Sequence, residues 1–174
     1  MGIIILSVDS AQGRIDYSKP ILYVLQSDSH ISINKAVLPT LMSEKSKILV
    51  VEDNDFVRMQ IVRYLEELGV DIIELSDGTQ AMDFMREQHH NDTDVSLAIV
   101  DVRMEPVDGF DFIKSIRGMG MDTPVILVTG DNNPDLLELA GTWGVSAVMI
   151  KPVQKERLLK TVSRTIEARK RRGT

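Results

Sequence analysis

The chain contains no cysteine. That excludes a disulfide framework, thiolate metal ligation and a cysteine nucleophile, and it suits a cytoplasmic protein. Aromatic residues make up only 5% of the sequence, and tryptophan occurs once, as Trp143, where packing is its expected role. No apolar run approaches the roughly 20 residues that span a bilayer, so no membrane association is expected. Positive charge is not in excess either. The 20 Lys and Arg against 26 Asp and Glu leave a net charge of −6, which gives no electrostatic footprint for nucleic acid. No GxxxxGK loop is present and no GxGxxG follows the first strand, so nucleotide binding is not expected. What remains is 174 residues of ordinary apolar content, enough for one self-sufficient core and one extra segment.

That extra segment is expected at the N-terminus. Residues 1–44 hold two short β-prone runs, GIIILSV (2–8) and ILYVL (21–25), separated by Ser, Asp, Gly and Pro. Two such runs do not build a sheet with a core, so a poorly ordered or loosely docked extension is expected. From Lys47 the pattern becomes regular. Five continuous apolar runs read as buried strands: 48–51, 71–75, 95–100, 125–128 and 147–150. Between and after them lie five amphipathic segments. In the first, Val57, Ile61, Tyr64, Leu65 and Leu68 recur at helical spacing, with Asn54 or Asp55 as cap and Gly69 as terminator. In the last, Leu158, Leu159, Val162 and Ile166 form the apolar face. Strands without polar alternation are covered on both faces. The fold class is therefore α/β, a doubly wound five-stranded parallel sheet with five helices, over residues 45–168. Residues 169–174, with Arg169-Lys170-Arg171-Arg172, read as a solvated basic tail. His89-His90 reads as an exposed helix end.

The chemistry-bearing residues stand where strands stop. Glu52-Asp53 follows the first strand, Asp101 ends the third, Thr129 follows the fourth and Lys151 follows the fifth. In parallel α/β sheets that edge binds ligands. Three carboxylates in one cleft repel unless a cation intervenes, and a hard divalent ion such as Mg²⁺ takes oxygen ligands and accepts phosphate. Lys151 adds a compact positive charge and Thr129 a hydroxyl donor. Together these residues suit a site that receives a phosphoryl group on a carboxylate.

ILVVEDND, the strand ending in Asp101 with MEPVDGF after it, VILVTG and MIKPV together resemble the receiver domain of two-component response regulators, over about 47–168. The resemblance implies that a histidine kinase or histidine phosphotransfer protein donates phosphate to Asp101. It implies that Asp53 binds Mg²⁺ directly and Glu52 through water. Asp101 and the backbone carbonyl of Arg103 would complete the protein ligands. Thr129 and Lys151 would hold the phosphoryl oxygens, and the Lys151–Pro152 bond is usually cis in the family. A single-domain regulator is expected, with output passing to an effector protein near the fourth and fifth helices and the fifth strand, the face that the resemblance implies. Where the family often carries an aromatic switch on strand five, this chain has Val148. Gly130 leaves the loop after Thr129 free to move. Arg103 and Asp131 flank the path of an attacking water, and a contact between them is expected to slow phosphoryl loss. Two rivals remain. One is a receiver-like interaction module that is not phosphorylated. The other is a phosphohydrolase, which would need a second acid where Arg103 stands.

Overall fold

The computed structural model describes residues 45–91 and 93–172, together with four two-residue strands nearer the N-terminus. The chain divides into two units, Met1–Glu44 and Lys45–Thr174. In the first, Ile4–Ile5 pairs antiparallel with Leu22–Tyr23, and Val8–Asp9 with Arg14–Ile15. The expected poor order and loose docking of this segment lie outside the described residues.

The second unit has five strands: β1 (Lys47–Val51), β2 (Asp71–Leu75), β3 (Leu97–Asp101), β4 (Val125–Thr129) and β5 (Ala147–Ile150). All pair in parallel, in the order β2-β1-β3-β4-β5. Five helices connect and follow them: α1 (Asp55–Leu65), α2 (Gly78–His90), α3 (Gly109–Gly118), α4 (Pro134–Thr142) and α5 (Lys155–Arg172). The expected fold class is the observed one.

Strand periodicity explains why the runs are apolar without alternation. Leu49, Val51, Ala98, Val100, Val125 and Leu127 face one layer, among Ala81 and Met85 of α2 and Phe112, Ile113 and Ile116 of α3. Ile48, Val50, Leu97, Ile99, Ile126 and Val128 face the other, among Ile61 and Leu65 of α1 and Leu158, Val162 and Ile166 of α5. Successive side chains point to opposite faces, and here both faces are dry. Trp143 and Val148 pack at the edge of the first layer.

Each of the first four helices begins with a side-chain cap. Asn54, rather than Asp55, accepts from the amides of Phe56 and Val57. Asp77, Asp108 and Asn133 do the same for α2, α3 and α4, and Pro134 occupies the first helical position of α4. A 3₁₀ turn, Glu66–Leu68, extends α1 and ends at Gly69, whose φ of 63° is left-handed.

One expectation needs revision. Residues 169–172 continue α5 rather than forming a separate tail; Lys170, Arg171 and Arg172 are exposed as expected, and Arg169 is partly covered. The apolar stripe of Leu158, Val162 and Ile166 continues at Arg169, whose guanidinium donates to the Val95 carbonyl and to Asp94 at 2.7 Å. The stem covers apolar surface while the head finds acceptors, and cations at a helix C-terminus are favoured by its dipole.

The β3–α3 loop is held by close backbone approach. The Gly109 amide donates to the Val102 carbonyl at 3.0 Å, and a Cβ on Gly109 would lie 2.5 Å from the Asp101 carbonyl oxygen. On the other side, a Cβ on Gly78 would lie 2.3 Å from the Val107 carbonyl oxygen. The atoms in the way are backbone and cannot rotate aside. Gly109→Ala is therefore expected to destabilise the protein by about 1–3 kcal/mol in urea unfolding, since overpacking must move the chain. Gly130→Ala, whose Cβ would meet nothing within 4 Å, is expected to stay within about 0.5 kcal/mol of wild type.

Candidate functional site

The carboxyl ends of β1, β3, β4 and β5 deliver their polar residues to one place. Asp101 is the last residue of β3 and is buried, as are Glu52 just past β1 and Thr129 at the end of β4. Asp53 is exposed at the turn into α1. Lys151 follows β5 and is half-buried, its amide bonded to the Thr129 carbonyl at 2.7 Å. The Lys151–Pro152 peptide bond is cis.

The ammonium of Lys151 ties the group together. Its Nζ lies 2.9 Å from Glu52 Oε1, 2.8 Å from Glu52 Oε2 and 3.1 Å from Asp101 Oδ2. Burial pushes the Glu52 carboxyl above the ordinary carboxylate range, and neighbouring Asp101 adds to the rise while Lys151 opposes it. Burial also works against the charge on Lys151, but its bonds to Glu52 and Asp101 outweigh this and raise its pKa.

Carboxylate oxygens of Glu52, Asp53 and Asp101 lie within 4.8 Å of one another. Glu52 Oε2 is fully buried and, despite the nearby ammonium, accepts no directed hydrogen bond. An all-oxygen, net-negative set with a spare buried acceptor fits a hard divalent cation.

Two loops flank Asp101. Arg103 Nη2 and Asp131 Oδ2 meet at 2.8 Å, joining the β3–α3 loop to the β4–α4 loop. Asp131 also donates its amide to Thr129 Oγ1 at 3.0 Å, and its carboxylate accepts from the Asn133 amide at 2.9 Å. The Arg103 guanidinium, and after it the Asn133 amide, hold the Asp131 carboxyl below its usual range. Gly130 sits between Thr129 and Asp131 with open space around its Cα. His89 and His90 are exposed at the end of α2, away from this edge of the sheet.

The five residues singled out in the sequence at strand ends are thus at one edge of one sheet, and all share contacts or close spacing. Sequence reasoning missed the steric role of Gly78 and Gly109. Asp108-Gly109 read as a turn, and nothing in the spacing shows that the glycine is needed because Asp101 backs onto it.

A fold of this order with acids at the switch point between β1 and β3 defines a class, and comparison with known proteins agrees. The response regulator receiver domain model matches residues 48–163, and the chain belongs to that family. It is a receiver domain of two-component signalling, a class of phosphoryl acceptors that bind Mg²⁺ at an acidic cluster and work with histidine kinases or phosphotransfer proteins. Among curated relatives, the CAI-1 autoinducer sensor kinase/phosphatase CqsS of Vibrio cholerae is 30% identical over 144 residues, 80% of this chain and 20% of that protein. The two-component response regulator ORR21 of Oryza sativa subsp. indica is 33% identical over 112 residues, 64% of this chain and 16% of that protein. The chain thus spans a fifth or less of these two relatives. Among solved structures, the chemotaxis protein CheY4 of Vibrio cholerae superposes with a TM-score of 0.62 at 26% identity, covering 70% of this chain and 98% of that one. No described helix is long and apolar enough to cross a membrane.

The raised Glu52 pKa has a consequence for stability. A carboxyl whose folded pKa exceeds its unfolded value opposes folding when ionised, and this opposition fades as pH falls through the folded pKa. In EDTA at pH 7, Glu52→Gln is therefore expected to equal or exceed wild type in urea stability. The gap should narrow as the pH approaches the carboxylate range. A loss of several kcal/mol at pH 7 would show instead that the ionised pair with Lys151 holds the site together.

Proposed function

We propose that this protein accepts a phosphoryl group on Asp101 from the phosphohistidine of a histidine kinase or histidine phosphotransfer protein, and signals through protein–protein contact with an effector. The observation that carries the reading is Lys151 Nζ, 2.8 Å from Glu52 and 3.1 Å from Asp101. A half-buried ammonium holds two buried carboxylates at the ligand-binding edge of a parallel sheet.

In this reading Asp101 is the nucleophile. Its oxygen forms a bond to phosphorus as the phosphorus–nitrogen bond to the donor imidazole breaks, and the imidazole leaves with the electron pair. The residues present fit Mg²⁺: Asp53 and Asp101, with Glu52 through water and the Arg103 carbonyl, would hold it. It would supply positive charge that offsets the carboxylates and the incoming phosphoryl oxygens. Lys151 turns from Glu52 toward a phosphoryl oxygen, and the Thr129 hydroxyl donates to another. When Thr129 turns, its bond from the Asp131 amide is lost, so the loop through Gly130 shifts. Pro152 fixes the backbone direction just after Lys151.

Exposed apolar side chains on two helices support protein partners. Phe56 and Met59 on α1, close in sequence to Asp53, are 84% and 60% exposed, and Leu137 and Leu139 on α4 are 49% and 42% exposed. The first suits a donor that must reach Asp101, the second an effector. Such donors act in the cytoplasm, and the reading carries that location with it.

Intact-mass measurement after incubation with acetyl phosphate and Mg²⁺ tests the reading. The expected result is an adduct of one phosphoryl group that is labile to hydroxide and absent without Mg²⁺ or in Asp101→Ala. No adduct, under conditions that phosphorylate a known receiver, would favour the unphosphorylated interaction module.

In this reading the Arg103–Asp131 pair, bridging the two loops beside Asp101, flanks the path of an attacking water. Exposed ion pairs add little to stability, so its expected effect is on access. Arg103→Ala should shorten the life of the adduct severalfold, followed as loss of the added mass after donor removal. An unchanged lifetime would take the pair out of the mechanism.

A further inference from the structure

The acidic pair after β1 has a neighbour that the strand-end reading passed over. Arg58 lies on α1, yet its side chain is only 16% exposed and turns back toward the end of β1. Nη1 donates to the backbone carbonyl of Glu52 at 2.7 Å and Nη2 to Asp55 Oδ1 at 2.5 Å. Nε lies 3.8 Å from Glu74 Oε2 on β2. One planar guanidinium therefore spans the turn from β1 into α1 and reaches the neighbouring strand. Glu52 is itself buried, so its carbonyl needs a partner, and Arg58 supplies one.

We propose that Arg58 is a positioning residue for cation binding, fixing the peptide between Glu52 and Asp53 so that both carboxylates face the same cation. The proposal rests on the reading of the acidic cluster as an Mg²⁺ site.

The geometry of the turn explains why this contact decides where Asp53 points. Asp53 is exposed, so no packing holds its side chain. Its direction is set by the peptide units on either side. The following one is held by Asn54, whose amide donates to Glu52 Oε1 at 3.3 Å and whose side chain caps α1. The preceding one is the Glu52 carbonyl that Arg58 holds. With both fixed, Asp53 leaves the turn in one direction, toward Glu52 and Asp101. Without Arg58 that peptide is free to rotate, and the Asp53 ligand is lost for part of the time. Groups that orient metal ligands commonly matter about 10–100-fold in affinity.

Charge alone makes the opposite prediction. Arg58 is a cation near a site for a cation, and removing it relieves repulsion and tightens binding, though solvent screening keeps this effect small. Arg58→Lys separates the two ideas, because it keeps the charge and loses the fork.

The test is Mg²⁺ binding by isothermal titration calorimetry on the full chain, with wild type, Arg58→Lys, Arg58→Ala and Glu74→Gln. Melting of each variant in EDTA serves as the control for folding. The expected result is that Arg58→Lys and Arg58→Ala both bind Mg²⁺ about tenfold more weakly than wild type, while Glu74→Gln, which keeps the bond to the Glu52 carbonyl, stays within about twofold of it. In EDTA, Arg58→Lys is expected to melt cooperatively and close to wild type. Wild-type affinity in Arg58→Lys, or tighter binding in Arg58→Ala, would overturn the proposal and leave the Mg²⁺ site standing. An equal fall in Arg58→Lys and Glu74→Gln would overturn it too, by showing a general brace between α1 and β2. Absence of Mg²⁺ binding by wild type would overturn the reading of the site itself and this role with it.

Discussion

Two buried carboxylates that share one ammonium set the terms for this structure. Glu52 and Asp101 would repel each other at the end of a hydrophobic sheet. Lys151, half-buried between them, makes the arrangement tolerable without making it comfortable. Burial still raises the Glu52 pKa, and one of its oxygens lacks a directed hydrogen bond. An all-oxygen acidic cluster in this condition suits a hard divalent cation. Perturbed titratable groups of this kind cluster at functional sites.

The remainder of the fold supplies a rigid base for that edge. β1 and β3 are buried on both faces, so neither Glu52 nor Asp101 can move without disturbing core on two sides. The β3–α3 loop is pressed against the Gly78 and Gly109 backbones. The β4–α4 loop is fastened differently, by one exposed ion pair and by a hydroxyl that accepts the Asp131 amide. Rigidity on the acidic side and looser fastening on the Thr129 side suit a site where one half holds geometry and the other half responds.

Most of the fold was legible because local and global signals agree. Continuous apolar runs, capping residues and the glycine after α1 pointed to the same elements that the structure contains. The strand-end residues were legible for a related reason, since parallel strands bring their ends to one edge whatever the separation in sequence. What could not be read depended on contacts that spacing does not encode. The cap of α1 is Asn54 rather than Asp55, a choice settled by one residue of backbone geometry. The end of α5 looked like a solvated tail because four basic residues in a row carry no apolar period. Its true anchor is the set of acceptors at Asp94 and Val95, 75 and 74 residues earlier in the chain. Arg58 carried no sequence signal at all, because an arginine on an amphipathic helix usually points to solvent. The contact between Arg103 and Asp131 was foreseen, since both follow strands that lie side by side.

The anchoring of α5 has a mechanical side. The helix has 18 residues, about 27 Å of nearly inextensible rod. Its first residue, Lys155, pairs with Glu67 at 2.5 Å, four positions after Lys151 in the chain. Near its other end Arg169 grips the segment entering β3 at Asp94 and the one entering β4 at Asp122. α5 therefore spans the second unit from the segment just after Lys151 to the segments entering β3 and β4 at the opposite edge of the sheet.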